Sequence, residues 1–287
     1  MSFLALLSAG TTQAATTAKQ QLTKLNENEF RQLEEHARKG DAGAQVMMGV
    51  AYEQGIRVSQ DLARALRWYE RAAEQGSAEV QHHLGLMYEE GRGTVRDFAS
   101  AALWYRKAAA QGYAPAQCNL GRFYLDGRGV ERNPAEAAKW FEIAARQGDA
   151  QAQSNIGYMY NYGEGVVQDY GEAMLWYRKS AEQGFAIAEK NLGTMYALGT
   201  GVQKDEAEAM RWFAKAAEQG LARALVSEAM LYMHGSQTAH DYDQAEKLLL
   251  KAIADGEEDA RPLLQNVVTL KRGAATPAQT ATAASPK

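Results

Sequence analysis

The residues of this chain best suited to chemistry are the tandem histidines His82 and His83, a second pair at His234 and His240, a single cysteine, Cys118, and a set of glycine-rich loops. Histidines can carry protons or ligate a metal, a thiol beside a base can attack a carbonyl, and glycine-rich loops can cradle phosphate. None of these readings gathers support. His82 and His83 are adjacent and so point to different faces of a helix, and no HExxH, GxSxG or SxxK phrase occurs. Nothing places a base beside Cys118, and one cysteine excludes an intrachain disulfide or a CxxC pair. The loops Gly91-Arg92-Gly93, Gly127-Arg128-Gly129, Gly163-Glu164-Gly165 and Gly199-Thr200-Gly201 never extend to GxGxxG and lack the Lys-Ser/Thr of a P-loop. They read as turns between helices. No catalytic residue, cofactor-binding residue, cofactor or metal ligand is assigned.

The loops recur because the whole chain does. Trp68, Trp104, Trp140, Trp176 and Trp212 stand 36 residues apart, and seven glycines from Gly40 to Gly256 keep that interval. Such a period marks a solenoid, in which each unit buries its apolar face only against copies of itself. Six units follow, 41–76, 77–112, 113–148, 149–184, 185–220 and a degenerate 221–256. In each, apolar positions three or four apart define a helix A and then a helix B. Asp61, Asp97, Asn133, Asp169, Asp205 and Asp241 stand where helix B needs an N-cap, and Glu136, Glu172, Glu208 and Gln244 follow three residues later as capping boxes. Helix B ends in Ala-Ala-x-Gln-Gly, whose glycine suits a left-handed cap.

Glycine costs about 1 kcal/mol inside a helix, yet Gly49, Gly85, Gly121, Gly157 and Gly193 all lie within helix A. The expected reason is close approach of helix B, with the tryptophans and the helix A tyrosines (Tyr52, Tyr88, Tyr124, Tyr160, Tyr196 and Tyr232) filling the interface. The tryptophan stripe is read as core.

Net charge is -4, which gives no global positive field for nucleic acid. No apolar run reaches the roughly 20 residues of an integral membrane segment. Residues 1–25 are expected to be signal-like or disordered: the apolar run Phe3 to Leu7, the small residues after it and Thr12-Gln13-Ala14 resemble the latter part of a secretory signal. A periplasmic or secreted location follows, with a cytoplasmic one as the alternative. Residues 26–40 and 257–272 read as terminal capping helices, and 273–287 as a disordered tail.

The recurring phrase, Ala-x-x-Gln-x-x-Leu-Gly-x-x-Tyr-x-x-Gly-x-Gly-Val-x-x-Asp through Trp-Tyr-x-Lys-Ala-Ala-x-Gln-Gly, resembles the Sel-1-like repeat, a relative of the tetratricopeptide repeat. The resemblance implies an all-α, right-handed α-solenoid of stacked helix-turn-helix repeats. It also implies an adaptor or scaffold for a protein or peptide partner of unknown identity. An envelope enzyme acting on peptidoglycan or a β-lactam is the competing reading; the family members discussed in that connection pair cysteines within each repeat, as this chain does not.

In tetratricopeptide relatives one face of helix A lines the concave surface. Its positions vary here from unit to unit, as partner-facing positions should, while Asn119, Asn155 and Asn191 recur. The expected binding surface is Asn119, Arg122, Asn155, Tyr158, Tyr162, Asn191 and Leu198, the carboxamides gripping a peptide backbone. The other reading of the asparagines, that each bonds a neighbouring helix or loop, stays open.

Overall fold

The structure, a computed structural model, describes residues 11–236 and 240–275. These residues form fifteen α-helices and one short 3-10 turn, with no strand among them. They divide into two compact units, Met1–Asp149 and Ala150–Lys287.

The first unit holds α1 (Thr11–Lys24), α2 (Glu27–Arg38), α3 (Ala42–Gln54), α4 (Leu62–Ala73), α5 (Ala78–Glu90), α6 (Phe98–Ala110), α7 (Ala114–Asp126) and α8 (Pro134–Arg146). The second holds α9 (Ala150–Tyr162), α10 (Tyr170–Glu182), α11 (Ala186–Leu198), α12 (Glu206–Glu218), α13 (Ala222–His234), α14 (Tyr242–Ala254) and α15 (Arg261–Ala275). From α3 onward odd-numbered helices are helix A and even-numbered ones helix B. Within each unit every A packs on its own B, and every B on the next A. This is the stacked helix-pair architecture of an all-α solenoid.

Cap chemistry sets the boundaries. Helix A ends on a left-handed glycine, as at Gly55, Gly91, Gly127 and Gly199, with φ from 68° to 74°. The N-cap carboxylates of helix B accept from the third residue on, for instance Asp61 Oδ1 from Arg64 N at 2.9 Å and Asp205 Oδ1 from Glu208 N at 2.9 Å. The expected capping boxes are not what closes these turns. The N-cap amide is already taken by the helix A tyrosine carbonyl, as in Asn133 N to Tyr124 O and Asp205 N to Tyr196 O. Glu136 and Glu208 turn instead to Lys139 and Arg211, one turn on. The box with both bonds is in α2, where Asn26 and Glu29 cap each other.

The helix A glycines serve a different aromatic from the one expected. A Cβ at Gly49, Gly85, Gly121, Gly157 or Gly193 would meet the ring of Tyr69, Tyr105, Phe141, Tyr177 or Phe213 at 2.5 to 2.9 Å. Those rings, each the residue after the tryptophan, are the buried ones. Trp104 and Trp176 are also buried, but Trp68, Trp140 and Trp212 are only half-buried. Arg71, Lys107, Lys179 and Lys215 lie over the faces of Trp68, Trp104, Trp176 and Trp212. The helix A tyrosines reach the preceding repeat: Tyr88 Oη donates to Glu70, and Arg106 and Arg178 donate to Tyr124 and Tyr196.

A helix stands over Thr11–Lys24, where a signal-like or disordered segment was expected. Its Leu22 is fully buried and it packs on α3, so burial of an apolar side chain orders it. Residues 1–10, with the Phe3 to Leu7 run, lie outside the described residues, as do 276–287 of the expected tail.

Candidate functional site

Two polar ladders, one running in both units and one in the first, decide which helix A positions remain for a partner. The first runs through the repeated Ala-x-x-Gln and Gln-Gly phrases. Gln45, Gln81, Gln117 and Gln153 of helix A accept from Gln75, Gln111, Gln147 and Gln183 at 2.6 to 2.8 Å, always thirty residues on. Gln45, Gln81 and Gln117 also donate to Ala37, Ala73 and Ala109 carbonyls at the end of the preceding helix B. Buried amides are thereby satisfied and helix ends capped at once. In the fifth repeat Glu189 takes the place of glutamine and accepts from Gln219 at 2.7 Å; its burial pushes that carboxyl above the usual range.

The second ladder joins the inward aromatic to helix A. Tyr69 Oη donates to Glu53 at 2.7 Å and Tyr105 Oη to Glu89 at 2.6 Å. Where the acid is replaced by Leu125 or Ala197, the aromatic is Phe141 or Phe213, with no hydroxyl to satisfy. In the fourth repeat Asn161 takes the place of the acid, and burial pushes the Tyr177 hydroxyl up from its ordinary value.

In the first unit these acids draw the variable positions inward. Arg122 donates to both Glu89 oxygens, at 2.8 and 3.1 Å, and Arg92 pairs with Glu53. His83 lies edge-on to Tyr69 with ring centroids 4.7 Å apart, its Nε2 3.6 Å from Glu53. Asn119 Nδ2 donates to His82 Nε2 at 2.9 Å, which requires a lone pair there and hence a neutral ring. Burial, with His83 adjacent, pulls His82 down to about 4. The histidines therefore serve different neighbours, as their adjacency implied. Among the described residues no group of histidine, cysteine and acidic side chains could hold a metal, and Cys118 is buried.

The second unit uses the same positions differently. Tyr158 and Tyr162 of α9 are exposed and lie against each other, with ring centroids 4.6 Å apart and the ring planes tilted by 44°. Leu198 of α11 is 70% exposed, and Ile187 and Met230, on α11 and α13, are about half exposed. Asn155 is half-buried and engaged by neighbours.

Of the seven expected contact residues, Tyr158, Tyr162 and Leu198 are thus presented to solvent in the second unit. Asn119 and Arg122 bond neighbouring helices, the second of the two readings left open in the case of Asn119, and Asn191 is half-buried. Sequence reasoning passed over Glu53 and Glu89. Their signal was the acid sixteen residues before tyrosine, absent where phenylalanine stands. The Gly-x-Gly loops are turns. A Cβ on Gly93 or Gly129 would lie 2.2 Å from the carbonyl of Leu62 or Phe98, so the second glycine is a packing requirement. In the first repeat Arg57 takes that place at φ 62° and its guanidinium lies over Phe30 of α2.

A family model described as Sel1 repeat matches six consecutive segments, 42–77, 78–113, 114–149, 150–185, 186–221 and 222–257. Among solved structures, a protective antigen of uropathogenic Escherichia coli strains with an SLR fold is 38% identical over 88% of this chain, with a TM-score of 0.75. The chain spans about half, 53%, of that protein's length. A Sel1 repeat protein from Oxalobacter formigenes is 32% identical, covering 83% of this chain and 95% of its own, with a TM-score of 0.74. No curated protein matches the chain.

Proposed function

The chain belongs to the Sel1 repeat family, and we propose that it is a noncatalytic scaffold holding an extended segment or helix of a partner protein along its helix A face. Sel1 repeat proteins generally mediate protein–protein interaction. The observation that carries the reading is the exposure of Tyr158, Tyr162, Ile187, Leu198 and Met230 at the variable helix A positions of the second unit. Apolar and aromatic side chains on one variable face are the material of binding hot spots, and leaving them in water stabilises nothing in the free chain. The partner therefore supplies apolar side chains.

A photocrosslinking amino acid placed at Tyr162 or Leu198 in the native host should give one discrete adduct, lost when Tyr158 is changed to Ser. The same probe at Leu103 or Leu175, exposed on helix B, should give none. Adducts from the helix B positions alone, or turnover of a β-lactam or peptidoglycan by the purified chain, would overturn this reading.

Export is proposed with it, on the Phe3 to Leu7 run and the small residues that follow. Intact mass from the native host tests it: a chain beginning near Ala15 is expected, and an unprocessed chain in the cytosol would refute it.

A further inference from the structure

We infer that the partner carries an acidic side chain among its apolar ones, and that Lys190 of α11 receives its carboxylate. The inference rests on the helix A reading above and adds a charge requirement to it.

Position 190 belongs to a column that recurs every 36 residues and holds Val46, His82, Cys118, Ser154 and Val226 in the other repeats. His82, Cys118 and Ser154 are buried, and each is neutral or held so. Lys190 alone puts a basic side chain there, half-buried. Among the described residues no carboxylate pairs with it. The charged group that acts on it is Arg223 of α13, a second cation, which together with burial lowers the lysine from its usual range. Arg223 is itself paired with Glu257 at 3.1 Å. The nearest acid in sequence, Glu189, is turned away into its bond with Gln219.

An ammonium in that setting loses hydration without gaining a counter-ion, so the free chain is destabilised by it. A carboxylate brought by a ligand relieves both the desolvation and the repulsion from Arg223, through a charge-assisted hydrogen bond stronger than a neutral one. Ile187, one turn before Lys190, is half exposed, and Leu198 lies two turns after it on the same helix. An apolar side chain on either side of one acidic residue matches that order. A basic segment would meet Lys190 and Arg223 as like charges, so the same geometry also rejects ligands.

Three sets of short fluorescein-labelled peptides test this on the full chain by anisotropy. Each shares a Leu, Phe and Tyr framework and differs at one position, which is Glu, Gln or Lys. The Glu set should bind about tenfold more tightly than the Gln set, about 1.4 kcal/mol, with the Lys set weakest. Lys190→Gln should bring the Glu and Gln sets together while leaving the chain's circular dichroism unchanged. Tyr162→Ser with Leu198→Ser should weaken every set. Equal binding of Glu and Gln peptides, still sensitive to Tyr162 and Leu198, would overturn the role of Lys190 and keep the helix A reading. No binding by any set, or binding indifferent to Tyr162 and Leu198, would overturn both.

Discussion

Replacing Gly85 by alanine sets two well-known effects against each other. Helix propensity favours the variant by about 1 kcal/mol, because alanine is the better helix former and restricts the unfolded chain. Packing opposes it. The new methyl would lie 2.5 and 2.6 Å from two ring carbons of Tyr105, where carbon contacts settle near 3.5 to 4.0 Å, so the ring must retreat by about 1 Å. It has nowhere to go: Tyr105 is fully buried, and its hydroxyl is held by Glu89 at 2.6 Å. Overpacking of this kind costs about 1 to 3 kcal/mol, and a ring fixed at both ends belongs at the upper end. Net destabilisation of about 2 kcal/mol is expected, seen as a lower urea midpoint with an unchanged slope. Gly157→Ala, whose methyl would meet Tyr177 no closer than 2.9 Å, should lose less. Gly171→Ala, a helical glycine that meets only its own cap Asp169 at 3.2 Å, should be neutral or slightly stabilising. If Gly85→Ala melted above the parent, propensity would have won, and close approach would not be why glycine stands there.

The same geometry predicts that Phe141→Ala costs about 3 to 5 kcal/mol and Trp140→Ala about half as much, since Phe141 is fully buried and Trp140 half-buried; equal losses in chemical denaturation would return the tryptophan stripe to the core. Arg122→Ala should lower stability by about 1 to 2 kcal/mol, because it strips a partner from the largely buried Glu89, whereas Tyr158→Ser should leave stability unchanged; a thermal melt of Arg122→Ala that matched the parent would show the ion pair to be idle. His82, at about 4 when folded, binds its proton more readily unfolded, so its contribution is fully present above about 6.5 and lost as pH falls toward 4. That amounts to about 2 kcal/mol between pH 7.5 and 5, read as the difference between parent and His82→Asn denaturation across that range, and a constant difference would refute it.

The helix pairs and their ends were legible because they are written locally. A cap is a short polar residue at a fixed offset from an apolar run, and a left-handed turn needs glycine whatever lies around it. What was not legible was direction. Trp140 and Phe141 are adjacent, and volume alone favours the larger ring for the core. The backbone places Phe141 against Gly121 and leaves Trp140 half-buried. The capping boxes failed for a related reason, since the competing acceptor, the Tyr124 or Tyr196 carbonyl, belongs to another helix. Asn119 could not be assigned because its partner His82 lies 37 residues away, across a repeat interface.

That interface is also why one variable face has two uses. Stability in a repeat array comes from columns that recur, here the glutamine pairs, the inward aromatics and the glycines beneath them. Positions outside those columns are free to differ. In the first unit they carry Glu53, His83, Glu89 and Arg122, which answer one another and leave little for a partner. In the second the acids are gone, replaced at the same positions by Asn161 and Ala197, and with them the reason for neighbouring side chains to turn inward. Tyr158, Tyr162, Ile187 and Leu198 then face water, and Lys190 is left without an acid. Loss of the internal acids and appearance of an apolar surface with an unanswered cation are two sides of one change. A ligand that restores a carboxylate to this face repeats, between molecules, the contact that Glu89 makes with Arg122 within the chain.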